Sequence, residues 1–193
     1  MPISLGRYLQ ESIAVLEKCL EDRALKEAVE RTYDALLRAI ALNKPILLCG
    51  NGGSAADAEH FAAELVCRYR VNRRAVNAMA LSNSGALATA ISNDFGYEEI
   101  FARQVEGLGQ EEGVFVGITT SGQSPNIMRA LQVAKEKCMV TIALIGSYSD
   151  SVSSHADIVI AVPSSMTSLV QQAHLVIYHH LCGALEKALQ ESF

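Results

Sequence analysis

No stretch of the 193-residue chain approaches the ~18 consecutive apolar residues that a membrane-spanning helix needs. The beginning, Met1-Pro2-Ile3-Ser4-Leu5-Gly6-Arg7, runs into charged amphipathic sequence without an apolar signal core. The expectation is a protein that is neither exported nor held in a membrane. Cys19, Cys49, Cys67, Cys138 and Cys182 are odd in number, widely scattered and never spaced CxxC. Neither a disulfide framework nor a thiolate zinc site is suggested, and a reducing cytoplasm fits best. Positive charge is scarce as well: 16 Lys and Arg stand against 21 Asp and Glu, a formal charge of -5. Its only local concentration, Arg68, Arg70, Arg73 and Arg74, is too short to follow a phosphate backbone, so direct nucleic-acid binding is not expected. Gly/Ser and Pro linkers and internal repeats are missing too, which points to one domain over residues 1–193, its N-terminal helical segment 1–42 included. What is abundant is apolar sequence. With 50% hydrophobic and 19% charged residues the chain can bury a sizeable core, so disorder is excluded.

From about residue 5 to 42 the apolar residues recur at helical spacing, as in Ile13, Leu16 and Leu20, then Val29, Tyr33, Leu36, Leu37 and Ile40. Two amphipathic helices are expected there, with faces that suit either this domain or another subunit. Beyond Pro45 the texture changes to short apolar runs at 46–49, 76–81 (interrupted by Asn77), 114–118, 140–145 and 158–162. Near-continuous apolarity marks strands buried on both faces, and helical stretches between them argue for parallel βαβ units. The fold class is therefore α/β, a doubly wound five-stranded parallel sheet. Intervening helices are expected over 54–68, 84–92, 97–107 and 125–137, and a last one over 167–189.

Ligands of an open α/β sheet bind at the carboxyl ends of its strands, where two loops are chemically distinctive. After the first run comes Gly50-Asn51-Gly52-Gly53-Ser54, followed at once by helix-forming residues. Glycines let backbone N–H groups approach an anion at a helix N-terminus. The plainer alternative is a glycine turn that only reverses the chain, since the pattern is neither GxGxxG nor a Walker loop. After the third run comes Thr119-Thr120-Ser121-Gly122-Gln123-Ser124, with Pro125 in a first helical position. Capping alone would explain Ser124 but not Thr120, Ser121 and Gly122, so phosphate binding by hydroxyls and helix dipole is favoured.

His60 and Glu64 lie four apart on the helix leaving the glycine loop and so share a face, with Arg68 expected one turn further on. An exposed polar stripe is the ordinary alternative. Here Phe61, Ala62, Ala63, Leu65 and Val66 make the helix largely apolar, which directs the polar residues toward a cleft. The last helix carries Gln171, His174, His179 and His180; Gln171 and His179 stand roughly 80° apart around it, with His180 opposite Gln171. Spacing alone does not rank the three histidines.

The run from Cys49 to Leu65 (Cys-Gly-Asn-Gly-Gly-Ser-Ala-Ala-Asp-Ala-Glu-His-Phe-Ala-Ala-Glu-Leu), with Arg68-Tyr69 after it, resembles the phosphoheptose isomerase family of the sugar-isomerase (SIS) superfamily. Asn93-Asp94-Phe95-Gly96-Tyr97, Thr120-Ser121-Gly122-Gln123-Ser124 and Gln171…His174…His179 agree in order and spacing, so the resemblance spans essentially the whole chain. It implies a flavodoxin-like SIS fold whose N-terminal helices pack in a homotetramer. It further implies conversion of sedoheptulose 7-phosphate, a phosphorylated seven-carbon sugar, into D-glycero-D-manno-heptose 7-phosphate, the entry to bacterial heptose biosynthesis for lipopolysaccharide or related glycans. Carried over residue by residue, it makes Glu64 and His179 the acid/base pair. Substrate contacts fall on Asn51, Gly52, Gly53, Ser54, Glu64, Arg68, Asn93, Asp94, Thr119, Thr120, Ser121, Ser124 and Gln171.

Some members hold zinc at the positions of His60, Glu64, Gln171 and His179, and no nucleotide, flavin or nicotinamide is implied. Two departures stand out. Thr119 replaces a usual serine but keeps its hydroxyl, whereas Leu169 stands where many members have arginine, within a 165–169 segment that lacks their acidic residues. The SIS fold also serves non-catalytic modules that sense phosphosugars or bind a protein, replication-initiation regulators among them, but such modules do not need both Glu64 and His179.

Overall fold

The computed structural model describes residues 4–82, 84–147 and 150–191. Residues 1–3, where the segment read as lacking a signal core begins, lie outside that range.

The N-terminal apolar periodicity forms two helices, α1 (Leu5–Glu21) and α2 (Arg23–Ala41). Asp22 makes the break between them. Its N–H donates to Lys18 O, closing α1, while its carboxylate accepts from Leu25 N at 3.0 Å and opens α2. The alternating part follows as β1 (Ile46–Gly50), α3 (Gly53–Val66), β2 (Ala78–Ala80), α4 (Gly85–Phe95), a 3₁₀ turn at Tyr97–Glu99, and α5 (Ala102–Leu108). Then come β3 (Val114–Thr119), α6 (Pro125–Glu136), β4 (Val140–Ile145), α7 (Asp150–Ser153), β5 (Ile158–Ala161) and α8 (Thr167–Glu191).

All five strands are parallel, in the order β2-β1-β3-β4-β5. Alternate side chains of β1, β3, β4 and β5 enter opposite cores, as the pleat requires, whereas Met79 of the edge strand β2 is exposed. Ile46, Leu48, Val114, Val116, Ile142 and Leu144 pack on one face against residues of α2, α3 and α8, with Val15 of α1 reaching the same core. Leu47, Cys49, Phe115, Ala143 and Ile145 pack on the other against α5 and α6, with Ile91 of α4 and Val152 of α7. Two apolar layers on one sheet explain why the strands read as near-continuous apolar runs. The doubly wound expectation holds, with the flavodoxin-like strand order.

Two expected elements differ, and one element was not expected. The stretch 97–107 is not one helix, because Ile100, Phe101 and Ala102 are all buried in succession, which one face of a straight helix cannot accommodate. The 3₁₀ turn closes with Ile100 N bonding Tyr97 O, and α5 starts afresh. Strand β2 covers only three residues because it is an edge strand entered from the end of α3, with Val76 N donating to Leu65 O. Helix α7 was not anticipated; its single turn has one apolar side chain, Val152, and so no readable period.

No described helix is long and apolar enough to cross a membrane. All five cysteines are free.

Candidate active site

β1 and β3 are neighbours, and the chain leaves them toward opposite edges of the sheet, so the crevice beyond their carboxyl ends is the topological switch point. The two distinctive loops are the ones that follow these strands. Gly52 opens α3 with φ 56° and ψ -120°, a backbone state open to glycine, and no side chain caps the helix. Helix α6 also begins without a side-chain cap. Ser124 occupies its N-cap position, but the hydroxyl lies 2.9 Å from Thr119 Oγ1 and does not cap, so the plainer capping alternative does not account for it. The Ile127 N–H that the hydroxyl would serve donates to Asn126 Oδ1 at 3.0 Å. Ser121 Oγ sits 3.4 Å from the same Thr119 hydroxyl and accepts from Gln123 N, while Thr120 Oγ1 is 3.3 Å from Thr167 Oγ1 at the start of α8. Two uncapped helix N-termini and a group of hydroxyls therefore lie at adjacent strand ends, a setting that suits a phosphate.

The loops are bound to each other. Asn51 and buried Asn126 exchange paired amide hydrogen bonds, and Tyr97 donates its hydroxyl proton to Asn51 Oδ1 at 2.8 Å. Gln171 of α8 lies where a Cβ on Gly53 would stand, and its amide reaches Ser54 Oγ at 3.5 Å. The close approach of α8 to the start of α3 depends on that glycine.

From there α8 runs parallel to α3, with its contacts in sequence order. Tyr178 meets Asp57, His60 and Phe61, and His179 meets His60. His60 Nε2 lies 3.2 Å from Glu64 Oε1 and 3.5 Å from His179 Nε2. These three side chains bring one ligand atom each within 4.8 Å of one another and could hold a metal ion. Two imidazole nitrogens and a carboxylate oxygen are suitable donors for zinc.

On the far side of His60, the Tyr178 hydroxyl lies 3.0 Å from Nδ1 and 3.5 Å from Asp57 Oδ1. When the Tyr178 hydroxyl donates to Asp57, Nδ1–H of His60 donates to the Tyr178 oxygen and Nε2 is free to ligate. When the hydroxyl donates to Nδ1 instead, Nδ1 accepts and Nε2–H donates to Glu64. Burial raises the Asp57 carboxyl above its ordinary range, opposed by Tyr178 and His60. The Tyr178 hydroxyl is also raised, by burial and by the Asp57 charge. Partial burial and the neighbouring His60 lower His179, against the pull of Glu64, and so favour its neutral form.

Of the expected residues, Asn51, Gly52, Gly53, Ser54, Thr119, Thr120, Ser121, Ser124 and Gln171 gather at the strand ends, and His60, Glu64 and His179 along α3 and α8. Arg68 does not extend the α3 face. The helix ends at Val66, because the N–H groups of Tyr69, Arg70 and Val71 turn to the Glu186 carboxylate instead of to helical carbonyls. Asn93 and Asp94 are exposed on α4 and bonded to each other at 2.8 Å; within this segment it is Tyr97 that reaches Asn51. His174 is fully buried and donates from Nε2 to Ile145 O, a core histidine, and His180 faces α1 and α2. Leu169 is buried in the core. Tyr178, Asp57, Asn126 and Tyr97 were missed; their only signal was polarity within apolar or loop sequence, and their partners lie 46 to 121 residues away.

The family model described as SIS domain matches residues 7–146, which sets the class of protein that the fold and the strand-end loops define. A phosphoheptose isomerase of Paramagnetospirillum magneticum is 46% identical over 186 residues, covering 95% of this chain and 97% of that protein. One from Helicobacter pylori (strain P12) is 43% identical over 172 residues, covering 89% and 88%. Among solved structures, a phosphoheptose isomerase from Francisella tularensis superposes with a TM-score of 0.90 at 32% identity over 95% of this chain and 96% of that one. The chain belongs to the phosphoheptose isomerase family, whose members are aldose–ketose isomerases. The regulator alternative is not favoured.

Proposed function

We propose that the chain converts sedoheptulose 7-phosphate into D-glycero-D-manno-heptose 7-phosphate through an enediol, as the first step of bacterial heptose biosynthesis in the cytoplasm. The observation that carries this reading is the meeting of His60, Glu64 and His179 on two parallel helices that begin beside a phosphate-type pair of loops. Gln171 and His179 are eight residues apart on α8, about 12 Å along the axis, a separation on the scale of an extended seven-carbon phosphate. The loops after β1 and β3 hold the phosphate, and the reacting carbons then fall beside the α3–α8 pair.

Isomerisation removes a proton from the hydroxymethyl carbon next to the ketone, and the electron pair becomes the enediol double bond while the ketone oxygen gains a proton. The enediol then loses the proton of its other oxygen and takes one up on the former ketone carbon. Glu64 is the base for carbon, and His179 passes protons between the oxygens or to the second carbon. His60, Glu64 and His179 would hold a zinc ion, one per subunit, with Gln171 as the fourth ligand that the family resemblance implies. In this alternative use of the same residues, bound zinc would supply Lewis-acid polarisation of the carbonyl and would stabilise charge on the enediol oxygens. The remaining contacts, from Asn51, Gly52, Gly53, Ser54, Arg68, Asn93, Asp94, Thr119, Thr120, Ser121, Ser124 and Gln171, position the substrate.

The unit is the single domain 1–193, assembled as a homotetramer. Support for assembly is a stripe of Leu5, Leu9, Ile13, Leu16 and Leu20 exposed along α1, beside a groove of about 660 Å³ that reaches Ile177 and His180 of α8. Such an apolar face needs a partner. The test of the function is direct: purified chain is incubated with sedoheptulose 7-phosphate and the aldose 7-phosphate is measured. Absence of product from folded, zinc-supplied protein overturns the assignment.

A further inference from the structure

Arg73 and Glu186 form a buried pair that takes no part in the chemistry above. Their side chains are 5% and 4% exposed, and Arg73 Nε stands 3.8 Å from Glu186 Oε1. Each group is occupied mainly with backbone. Glu186 Oε1 accepts from Tyr69 N at 2.9 Å, and Oε2 accepts from Arg70 N at 2.8 Å and Val71 N at 3.2 Å. Burial raises this carboxyl, but the three N–H donors and Arg73 outweigh it and hold it below its ordinary value, so it is charged. Arg73 donates from Nη2 to Glu64 O at 2.6 Å and from Nη1 to Leu65 O at 2.7 Å and Arg74 O at 2.9 Å.

Glu64 and Leu65 lie in the last turn of α3, where carbonyls have no helical partner. Arg73 supplies those partners and sets a positive charge against the negative end of the helix dipole. Glu186 is seven residues beyond His179, about two turns of α8 on roughly the same face. The loop that it gathers places the Tyr69 ring 5.6 Å from the His179 ring, centroid to centroid. Gly183, between His179 and Glu186, leaves room for that ring, since a Cβ there would stand 3.3 Å from Tyr69 Cε1.

We infer that Arg73 and Glu186 are positioning residues for the isomerase reaction. Arg73 fixes the backbone that carries Glu64, and Glu186 fixes the loop that packs Tyr69 against His179, so one brace sets the separation of the two acid/base groups. This inference rests on the reading of Glu64 and His179 as that pair. The brace lies away from the phosphate loops, so loosening it lowers turnover far more than it weakens substrate affinity, to which Arg68 at the start of the braced loop adds one contact.

The experiment compares kcat and KM for sedoheptulose 7-phosphate in Arg73→Met, Arg73→Lys, Glu186→Gln and Gly183→Ala, each as the full zinc-supplied chain, with circular dichroism and Tm beside the kinetics. Arg73→Met and Glu186→Gln are expected to lower kcat at least about tenfold with KM within about twofold. Arg73→Lys, with one donor group in place of a fork, recovers part of the loss. Gly183→Ala separates position from stability. It replaces glycine within a helix, so Tm is unchanged or higher, while the added methyl displaces Tyr69 and lowers kcat about threefold.

If Arg73→Met or Glu186→Gln does not fold, Arg73→Lys and Gly183→Ala decide. Folded variants whose kcat stays within twofold of the parent, or whose loss lies wholly in KM, overturn the inference. Glu64→Gln, run in the same series, keeps the two questions apart: if it turns over normally, the acid/base reading has failed and not merely the brace.

Discussion

Asn51 and Asn126 exchange two side-chain hydrogen bonds of 2.9 Å, which tie the loop after β1 to the start of α6. With the Tyr97 hydroxyl also donating to Asn51 Oδ1, the Asn51 amide keeps only one N–H free for a ligand. Its part in substrate binding is thus mostly to hold the two phosphate-type loops at a fixed separation. Asn126→Ala leaves a partly buried amide without its partner and should cost about 1–3 kcal/mol of stability. In kinetics the same change should raise KM more than it lowers kcat. Denaturant unfolding and steady-state assays check both, and an unchanged KM would release Asn51 from this role.

Proton abstraction from carbon needs a base, whereas the phosphate is held by other elements. Glu64→Gln keeps the size of the side chain and removes its basicity, so turnover should fall at least about 100-fold. Fold and phosphosugar binding should persist, as read by circular dichroism and by calorimetric titration with sedoheptulose 7-phosphate. Near-normal turnover takes Glu64 out of the reaction.

The strands could be read because both of their faces are buried: Leu47 and Leu48 point into different cores, yet both are apolar, so the run is continuous. The His60–Glu64 pair could be read because helical spacing is local. The end of α3 could not. It depends on Glu186, 115 to 117 residues away, which captures three backbone N–H groups that a local pattern assigns to one more turn. The partner of Ser124 could not be read for a similar reason, since its hydroxyl meets Thr119 five residues earlier and not the helix that it begins. Among the histidines, spacing could not separate the core residue from the site residue. What distinguishes them is burial: His174 is fully buried against Ile145 O, and His179 is partly exposed beside His60.

That burial has a consequence in acid. Desolvation pushes the His174 imidazole down from 6.5 to about 4, against the raising effect of its bond to Ile145 O, and Nδ1 has no partner among the described residues. Between pH 6.5 and about 4 the unfolded chain therefore takes up a proton that the native chain refuses, so stability falls as pH falls. The loss should approach the order of 3 kcal/mol once the pH is below the native value. His174→Gln, which retains a donor for Ile145 O, should show a flatter stability profile over this window in denaturant titrations. Parallel profiles for parent and variant would remove His174 as the cause.

The α1 stripe gives a test of assembly. Leu9 and Leu20 are 52% and 72% exposed in the single chain, so a charge at either position disturbs little within the subunit. The parent chain should sediment at four times its 20.8 kDa mass, and the double change Leu9→Glu with Leu20→Glu should lower that mass while each subunit keeps its helical content. A parent that is monomeric at micromolar concentration refutes the tetramer.

Metal and metal-free use of the α3–α8 site make opposite predictions for His60. In a metal-free proton transfer His60 has no assigned part, so His60→Ala would cost much less than His179→Ala. In a zinc site His60 Nε2 is a ligand, 3.2 Å from Glu64 Oε1 and 3.5 Å from His179 Nε2, and losing it opens the metal's coordination to water. The expected outcome follows the zinc reading: chelation abolishes turnover, added zinc restores it, and His60→Ala loses both bound metal and activity. Tyr178→Phe adds a graded case. It removes the hydroxyl that orients Nδ1 of His60, so zinc affinity should fall by roughly 10–100-fold while the ligands remain. Elemental analysis of purified protein and competition with a zinc-binding dye provide readouts independent of turnover. A metal-free preparation with full activity would overturn the zinc assignment and leave Glu64 and His179 to work as a simple acid/base pair.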